Sequence, residues 1–269
     1  MLDGKVVVVT GAAQGIGKGI ASVIAAKGAH VALMDIEEAA LEESVSELSS
    51  RYPDSDFFAH SADISDRASV DQFFTAALAR FGQIDGLVNN AAIVADRGNM
   101  LDSDPDKRRR EYDVNVNGTM NCSNAFVQQA KARRAGGNIV NVASAGGIES
   151  HVLMGHYSST KAAVISLTQC QSAEWAQFNI NVNAVCPGGV RTSMLKAAAE
   201  TKTMYSKSKR DATALMESWD PPQLRRPMQA EEVGYVVAFL LSEEAVLIRG
   251  QAIRVDAGNE HEIVSEYYK

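Results

Sequence analysis

The chain has 269 residues, a length that fits one large α/β domain or two small ones and allows a sizeable core. Its formal net charge of −7, from 26 basic and 33 acidic side chains, argues against a general attraction to nucleic acid or anionic membranes. The three cysteines are widely spaced and form no C-x-x-C pair, so we expect core residues in a reducing compartment, without disulfides or a metal site.

Short β-branched runs alternate with longer helical patterns along the chain. This alternation predicts an α/β fold: a single Rossmann-type, doubly wound parallel sheet with helices on both faces. The predicted strands are Lys5–Thr10, His30–Asp35, Asp56–Ser61, Gly86–Asn89, Gly137–Val142, Asn179–Val185 and Ala252–Val255. The predicted helices include Gly15–Lys27, Glu37–Ser50, Ala68–Phe81, Tyr112–Arg134 and Tyr157–Gln177. No linker divides the pattern, so we expect one dinucleotide-binding and catalytic domain over residues 1–269.

We expect neither a signal peptide nor a membrane anchor in this chain. Residues 1–5 run directly into the strand-like Val6–Val9 without a basic leader, and no apolar run approaches the length of a membrane span. We expect a cytoplasmic protein that has neither a membrane nor a nucleic acid as partner.

Two polar stretches, Ala95–Arg110 and Arg191–Arg226, appear irregular, and each follows a predicted strand. In an open α/β sheet, ligands bind beyond the carboxyl ends of the strands. We therefore expect both stretches to wall a pocket, with residues 191–226 as a substrate-loop insertion.

A glycine-rich loop lies between the first strand and the first helix. Its candidate cofactor-binding residues are Gly11, Gln14, Gly15, Ile16 and Gly17. Glycines in this position let the backbone turn tightly and approach a pyrophosphate, whose charge the N–H groups of a helix N-terminus stabilise. The spacing is G-x-x-x-G-x-G, and a plain tight turn is the alternative.

The second strand ends at Asp35, about 20 residues beyond this loop. A carboxylate there is placed to bind the ribose hydroxyls of adenosine, and it would repel the 2′-phosphate of NADP. No Arg or Lys lies within Gly11–Gly17 or directly after Asp35 to offset that repulsion. We therefore predict NAD as the cofactor; the alternative is that Asp35 only caps the following helix.

Tyr157 and Lys161 are four residues apart, and in a helix this spacing places both side chains on one face. A phenol has a pKa of about 10 and exchanges protons poorly at neutral pH. An ammonium close to it lowers that pKa, so the pair predicts a proton relay for alcohol and ketone chemistry. In isolation, such a pair more commonly belongs to a solvated helix surface.

Taken together, these motifs resemble the short-chain dehydrogenase/reductase family, in its common branch. The resemblance covers nearly the whole chain, from the glycine loop to Gly250–Gly258. It implies further cofactor-binding residues: Ile36, Asp63, Ile64, Asn90, Ala91, Ala92, Tyr157, Lys161, Pro187, Gly188, Val190 and Thr192. Ala92 departs from the family, which has glycine at this position of its Asn-Asn-Ala-Gly motif.

The resemblance also implies the catalytic residues Asn115, Ser144, Tyr157 and Lys161. Tyr157 would take the alcohol proton or return it, Ser144 would polarise the substrate oxygen, and Lys161 would bond the nicotinamide ribose and lower the pKa of Tyr157. Asn115 would hold a water that links Lys161 to solvent. The family further implies a homotetramer.

The substrate is the least specified part of the prediction. The candidate substrate-binding residues are Ser144, Ala145, His151, Met154 and Tyr157, and His156 is a further candidate for the lining. Residues 191–226 contain eight basic and four acidic side chains, or +4, which indicates either a solvated surface or attraction of an anionic substrate.

We expect an NAD-dependent oxidoreductase that acts on a secondary alcohol or ketone of a small polar molecule: a polyol, a sugar or a hydroxy acid. A reductase of 3-oxoacyl thioesters or steroid-type ketones is the alternative within the family. A non-catalytic NAD-binding sensor is the alternative of another class.

Overall fold

The central sheet follows from runs of apolar residues that can be buried on both faces. The computed structural model describes residues 1–205, 211–217, 219–221, 224 and 226–258, and within these ranges seven strands form one parallel sheet in the order β3-β2-β1-β4-β5-β6-β7. The strands are β1 (Val6–Thr10), β2 (His30–Asp35), β3 (Phe57–Ser61), β4 (Gly86–Asn89), β5 (Gly137–Val142), β6 (Ile180–Pro187) and β7 (Ala252–Val255). The predicted α/β fold is confirmed.

Helices connect these strands across both faces of the sheet. They are α1 (Gly15–Ala26), α2 (Glu38–Arg51), α3 (Arg67–Phe81), α4 (Pro105–Tyr112), α5 (Thr119–Arg133), α6 (Gly155–Trp175), α7 (Ser193–Tyr205), α8 (Ala212–Glu217) and α9 (Ala230–Leu241). A π-helical segment, Asp113–Gly118, joins α4 to α5. In the described part of the chain, no helix has the length and apolar character needed to cross a membrane.

Alternate side chains of β1 face opposite layers of the core. Val7 and Val9 pack in one buried cluster with Ile20 of α1, whereas Val6 and Val8 pack in another that contains Phe73 of α3. Burying an aliphatic side chain of this size stabilises the fold by about 1.5–3 kcal/mol. This two-sided burial explains why the strand has no polar alternation.

The prediction that all three cysteines lie in the core is wrong at one position. Cys122 and Cys186 are buried, but Cys170 is exposed on α6. Position 170 lies on the side of α6 that faces away from the sheet, and a cysteine count carries no information about helix orientation.

The prediction that residues 95–110 and 191–226 are irregular is wrong in part, because α4, α7 and α8 lie mainly within them. Helix α4 has few apolar residues, so its sequence lacks the period of an amphipathic helix. Its start is nevertheless marked: Asp104 accepts a hydrogen bond from the backbone N of Asp106 at 2.9 Å, and Pro105 occupies the first turn. Helix α9 is also absent from the sequence-based prediction, although Gln229 and Glu232 form a capping box at its start.

The strand order of the sheet changes direction between β1 and β4, and this position determines where a ligand can bind. β1 pairs with β2 on one side and with β4 on the other, so the connections that follow β1 and β4 diverge at their carboxyl ends. Such a crevice is where open α/β sheets bind ligands. The glycine loop and the segment after β4 therefore meet there.

Candidate active site

A cavity of about 770 Å³ extends along the carboxyl ends of the strands. It is lined by every predicted site residue except Gly17, Asn115 and His156. The cavity joins two regions: a nucleotide end around Gly11–Ile16 and a catalytic end around Tyr157. Its volume lies within the usual range for small-molecule and cofactor sites.

Gly17 lies behind the wall at the nucleotide end. A Cβ on this residue would collide with the carbonyl O of Gly11, so only glycine lets α1 pack against the loop. Gly11 itself has a φ of +64°, a left-handed conformation that favours glycine. The N-cap residue of α1, Gln14, makes no side-chain capping hydrogen bond, and the first turn contains no acidic residue. The backbone N–H groups of the first turn of α1 can therefore donate hydrogen bonds to a pyrophosphate.

Asn90 fixes the end of β4 to the end of β1. Its Nδ2 donates to the carbonyl oxygens of Thr10 and Gly11, both at 3.0 Å, and the backbone N of Ala91 donates to Thr10 Oγ1 at 3.0 Å. Ala92 also lines the cavity, and its φ is not positive. The alanine in place of glycine therefore introduces no left-handed backbone strain.

Asp35 is held by backbone donors at the edge of the cavity. Its Oδ2 accepts from the backbone N of Ala13 at 2.9 Å, and its Oδ1 accepts from the backbone N of Glu37 at 3.2 Å. The N-cap residue of α2 is Glu37, so Asp35 does not cap that helix. The carboxylates of Asp35 and Glu37 both line the cavity, beside the half-exposed Ile36.

Asp63 is bound to a residue that the sequence analysis does not identify as part of the site. Arg110 of α4 donates from Nη2 to Asp63 Oδ2 at 2.8 Å and from Nη1 to Ser65 Oγ, and it lines the same cavity. Burial raises the pKa of Asp63, but the hydrogen bonds from Ser65 and Arg110 outweigh it, so the pKa is lowered overall. No local motif indicates Arg110, because it is 47 positions from Asp63.

At the catalytic end, Tyr157 and Lys161 lie one turn apart on α6, and both are buried. Lys161 Nζ donates to the carbonyl O of Val142 at 2.7 Å and lies 5.7 Å from the centroid of the Tyr157 ring. Ser144 precedes a short 3₁₀ turn, and its Oγ accepts from the backbone N of Gly146 at 3.0 Å. The Ser144 side chain lies near Tyr157 and acts to lower the pKa of its phenol.

Burial is the largest cause of the pKa shifts of both Tyr157 and Lys161. It raises the pKa of Tyr157 to about 12, although Ser144 acts in the opposite direction. It lowers the pKa of Lys161 to about 8. The prediction that Lys161 lowers the pKa of Tyr157 is therefore wrong for this arrangement, because the ammonium is directed at the Val142 carbonyl.

Asn115 lies in the π-helical segment and does not reach the cavity. Its Oδ1 accepts from the backbone N of Ile93 at 2.8 Å, and its Nδ2 donates to the carbonyl O of Ile93 at 2.9 Å and to Thr160 Oγ1 at 3.0 Å. The side chain therefore ties the segment after β4 to α6. Its predicted role in holding a water stays a prediction.

Helix α7 covers the catalytic end. Its residues Met194 and Ala198 pack against Val94, Met154 and Tyr157, and Tyr157 is only 8% exposed as a result. This cover comes from a segment that follows Tyr157 by some forty positions, and the sequence does not reveal which face of α7 points inward.

The two histidines of the predicted lining have different positions. His151 lines the cavity, and burial, followed by the charge of Lys202, lowers its pKa. His156 does not line it; its Nε2 lies 2.8 Å from Ser103 Oγ. Ser103 Oγ in turn donates to Asp96 Oδ2 at 2.7 Å, so His156 belongs to a polar cluster outside the cavity.

The basic residues of segment 191–226 do not all face the cavity. Three of them form ion pairs: Arg191–Asp220, Lys196–Glu200 and Arg226–Glu232. Lys202 lines the cavity, with its Nζ 4.9 Å from the centroid of the Trp219 ring. Lys207, Lys209, Arg210 and Arg225 lie outside the described residues.

Comparisons with known proteins agree with this architecture. The model of the family described as "Enoyl-(Acyl carrier protein) reductase" matches residues 11–260. "Oxidoreductase UcpA" of Salmonella typhimurium is 36% identical over 96% of this chain and 95% of its own length. "Diacetyl reductase [(S)-acetoin forming]" of Staphylococcus epidermidis is 33% identical over 94% of this chain and 98% of its own length.

Solved structures share the fold over almost the whole chain. Levodione reductase superposes with a TM-score of 0.89 at 28% identity, covering 97% of this chain and 100% of its own. NAD⁺-bound xylitol dehydrogenase has a TM-score of 0.88 at 27% identity, with coverages of 96% and 99%. An actinorhodin polyketide ketoreductase variant with NADPH has a TM-score of 0.87 at 28% identity, with coverages of 97% and 99%.

Proposed function

Because this chain belongs to the short-chain dehydrogenase/reductase family, we propose that it is an oxidoreductase that uses NAD to interconvert a secondary alcohol and a ketone. One observation carries the proposal: a single cavity contains the glycine loop, Asp35, Ser144 and Tyr157. The nucleotide and the reacting carbon would therefore lie in one continuous space. Such proximity is what a direct transfer between them requires.

The nucleotide end supports a nicotinamide dinucleotide and favours NAD. The uncapped first turn of α1 offers donors to a pyrophosphate, and Gly11 permits close approach. Asp35 and Glu37 bring two carboxylates to the ribose end, where a 2′-phosphate would meet repulsion. The bound cofactor supplies hydride exchange with the substrate carbon.

Tyr157 is the proposed acid and base. With a pKa of about 12, its phenol keeps its proton at neutral pH and is ready to donate it to a ketone oxygen. Ser144 receives a hydrogen bond from Gly146, so its hydroxyl keeps its own proton for donation to the substrate oxygen or to Tyr157. Ser144 would stabilise the charge that develops on that oxygen during the reaction.

Lys161 and Asn115 are proposed to support this proton exchange by Tyr157. Lys161 brings a buried cation to the catalytic end, and its proposed role is to bond the nicotinamide ribose. Asn115 fixes Ile93 and Thr160, and through them the position of α6 against the cavity wall. The water that links Lys161 to solvent belongs to the same proposal.

The proposed substrate is a small polar molecule such as a polyol, a sugar, a hydroxy acid or a diketone. Helix α7 covers Tyr157, so the substrate would lie between α7 and the catalytic end of the cavity. The names of the relatives refer to small molecules: diacetyl, levodione and xylitol. Reduction of an acyl thioester or a steroid-type ketone is the second candidate, favoured by the description of the family model.

The test is Tyr157→Phe, with Tyr112→Phe as the matched control. Tyr112 also carries a hydrogen-bonded phenol, but it is exposed and bonds Ser159 at the surface. We expect Tyr157→Phe to lower kcat by at least about 10³-fold and Tyr112→Phe to leave it unchanged. Calorimetry should give nearly the same NAD affinity for all three proteins.

A Tyr157→Phe variant that keeps more than about a tenth of wild-type turnover would overturn the catalytic assignment. If the wild-type protein binds NAD tightly but turns over nothing on a broad panel, it is a sensor. A homotetrameric assembly and a cytoplasmic location are the remaining parts of the proposal, and mass measurement in solution tests the first.

A further inference from the structure

The imidazole ring of His151 lines the cavity without a hydrogen-bond partner among the residues that the structure describes. Its backbone is fixed, because the backbone N donates to Ser158 Oγ at 3.1 Å and the carbonyl O accepts from the backbone N of Met154 at 3.2 Å. The ring of His156, by contrast, lies outside the cavity, with its Nε2 2.8 Å from Ser103 Oγ. A polar group that is fixed in a cavity wall and left unbonded is suited to bind a ligand.

The His151 ring packs directly against Gly146, close to Ser144. A Cβ added at Gly146 would lie 2.7 Å from His151 Cδ2, 3.2 Å from its Nε2 and 3.3 Å from Ser144 Oγ. Because one point is this close to both polar atoms, Nε2 and Oγ are at most about 6.5 Å apart. Two oxygens on neighbouring carbons are about 3 Å apart, and a hydrogen bond adds about 2.8 Å at each end. A molecule with two such oxygens can therefore bond both side chains at once.

The ring of His151 is uncharged at neutral pH. Burial lowers its pKa and the charge of Lys202 lowers it further, whereas Glu149 acts in the opposite direction. A neutral imidazole has one N–H donor and one acceptor nitrogen. It can donate to a carbonyl oxygen or accept from a hydroxyl, so it can bind a second substrate oxygen of either kind.

We propose that His151 binds a second substrate oxygen on the carbon next to the reacting one, so that this site prefers vicinal diols, hydroxyketones and diketones. The inference rests on the proposed function, because the reacting oxygen is placed at Ser144 and Tyr157. The neighbouring oxygen would then lie at His151 Nε2. A substrate that lacks this oxygen leaves the imidazole unpaired, and a site built to bond a substrate oxygen discriminates against such an analogue.

The chain offers matched variants for a test. His151→Leu removes both ring nitrogens and keeps a side chain of moderate size. His151→Gln places an amide near the position of Nε2 and should restore part of the hydrogen bonding. His156→Gln is the control, since it makes the same exchange at the histidine that bonds Ser103 outside the cavity.

The test compares kcat/KM for butane-2,3-diol, supplied as all stereoisomers, with kcat/KM for butan-2-ol, with NAD as the cofactor. Both compounds have the same four carbons, and the second hydroxyl withdraws electrons and slows hydride loss, so a preference for the diol must come from binding. We expect the wild-type protein and His156→Gln to prefer the diol by about 30-fold or more. His151→Leu should reduce this preference to about threefold or less by losing activity on the diol, and His151→Gln should give an intermediate value. Melting temperatures establish that each variant is folded.

Several outcomes would overturn the inference while leaving the proposed function intact. A wild-type protein that oxidises butan-2-ol as efficiently as the diol does so, and so does a preference for butane-1,3-diol, which separates the oxygens by one more carbon. An equal loss on both compounds in His151→Leu would indicate a merely structural role. Turnover of other alcohols, but of neither compound, also counts against a vicinal site. No turnover of any alcohol or ketone would instead contradict the proposed function, and the inference with it.

Discussion

The pKa shifts at the two ends of the cavity have opposite effects: one end favours the charged form of its titratable group and the other disfavours it. At the nucleotide end, Asp63 is partly buried, yet its pKa is lowered because Ser65 and Arg110 donate hydrogen bonds to it. At the catalytic end, burial wins: the pKa of Tyr157 rises and that of Lys161 falls. Hydrogen bonds stabilise the charged form of Asp63 at one end, whereas burial at the other end disfavours the charged forms of Tyr157 and Lys161.

The two ends are also built differently. The nucleotide end consists of strand ends and the start of α1, which are tied by hydrogen bonds to the backbone, such as that from the backbone N of Ala13 to Asp35. The catalytic end is closed by apolar packing of α7 on Met154 and Tyr157. We therefore expect changes at the first end to alter cofactor binding, and changes at the second to alter turnover.

The largest expected effect at the catalytic end, after that of Tyr157, is produced by Ser144→Ala. Loss of one donor to a developing oxyanion lowers kcat by about 10²–10³-fold, and NAD affinity should stay within about twofold. Steady-state kinetics and calorimetry give both values. Ser159→Ala is the control, because Ser159 lies on α6 close to Tyr157 in sequence but bonds Tyr112 at the surface. If Ser144→Ala lost NAD affinity to the same extent as kcat, the assignment of cofactor binding to one end and turnover to the other would be wrong.

At the nucleotide end, Asp35→Ser should change the choice of cofactor. Removing the Asp35 carboxylate reduces the repulsion of a 2′-phosphate and loses charge-assisted bonds to the ribose hydroxyls. We expect the ratio of kcat/KM for NAD over NADP to fall by about 100-fold. Glu37→Gln, which changes the neighbouring carboxylate, should alter the ratio less. An unchanged ratio in Asp35→Ser would rule out Asp35 as the determinant.

Lys161→Met tests whether the Lys161 ammonium is buried, because burial makes the free energy of unfolding depend on pH. The folded pKa of Lys161, about 8, lies below its ordinary value of 10.5. Between these values the unfolded chain holds a proton that the folded one has lost, so the free energy of unfolding rises with pH, by about 1.4 kcal/mol per unit. Below pH 8 both states are protonated and the penalty is fully present.

Urea unfolding at pH 7 to 10 measures this effect. From pH 8 to 10 the wild-type protein should gain about 2 kcal/mol relative to Lys161→Met, since groups common to both cancel. The range ends at pH 10 because Tyr157, with its raised pKa, acts in the opposite direction above that value. Parallel pH profiles would mean that Lys161 is not a buried ammonium.

The smallest expected effect concerns Lys202 at the substrate end. If the substrate carries a carboxylate, Lys202→Met should raise its KM by about fivefold at low salt and less at high salt. The KM of a neutral polyol should not change. Lys196→Met, at a position outside the cavity, is the control. A KM that is insensitive to salt, together with a preference for neutral polyols, would reject an anionic substrate.

The contrast between the ends also explains what the sequence can predict. The glycine loop and Asp35 each follow or end a strand that the sequence marks clearly, and Tyr157 and Lys161 are one turn apart on one helix, so local sequence is enough to place all of them in the cavity. Gly17 belongs to the same motif but packs behind the wall, because a motif does not specify which way each residue points.

The remaining features depend on contacts between distant segments. Arg110 meets Asp63 only because α4 lies beside the turn after β3. The cover of Tyr157 depends on which face of α7 packs inward, and the burial that raises its pKa follows from that packing. A four-residue spacing contains no information on burial, so the direction of this pKa could not be predicted.

The measurement that tests the central claim most directly is the initial rate of nicotinamide oxidation or reduction by the wild-type protein, with NAD(H) and NADP(H) in parallel. The panel is diacetyl, levodione, xylitol, hydroxy acids, an acyl thioester and a steroid ketone. We predict turnover of at least one small polar substrate, with kcat/KM at least about tenfold higher for NAD(H). Equal or better turnover with NADP(H), or activity on the thioester or steroid alone, would contradict the account.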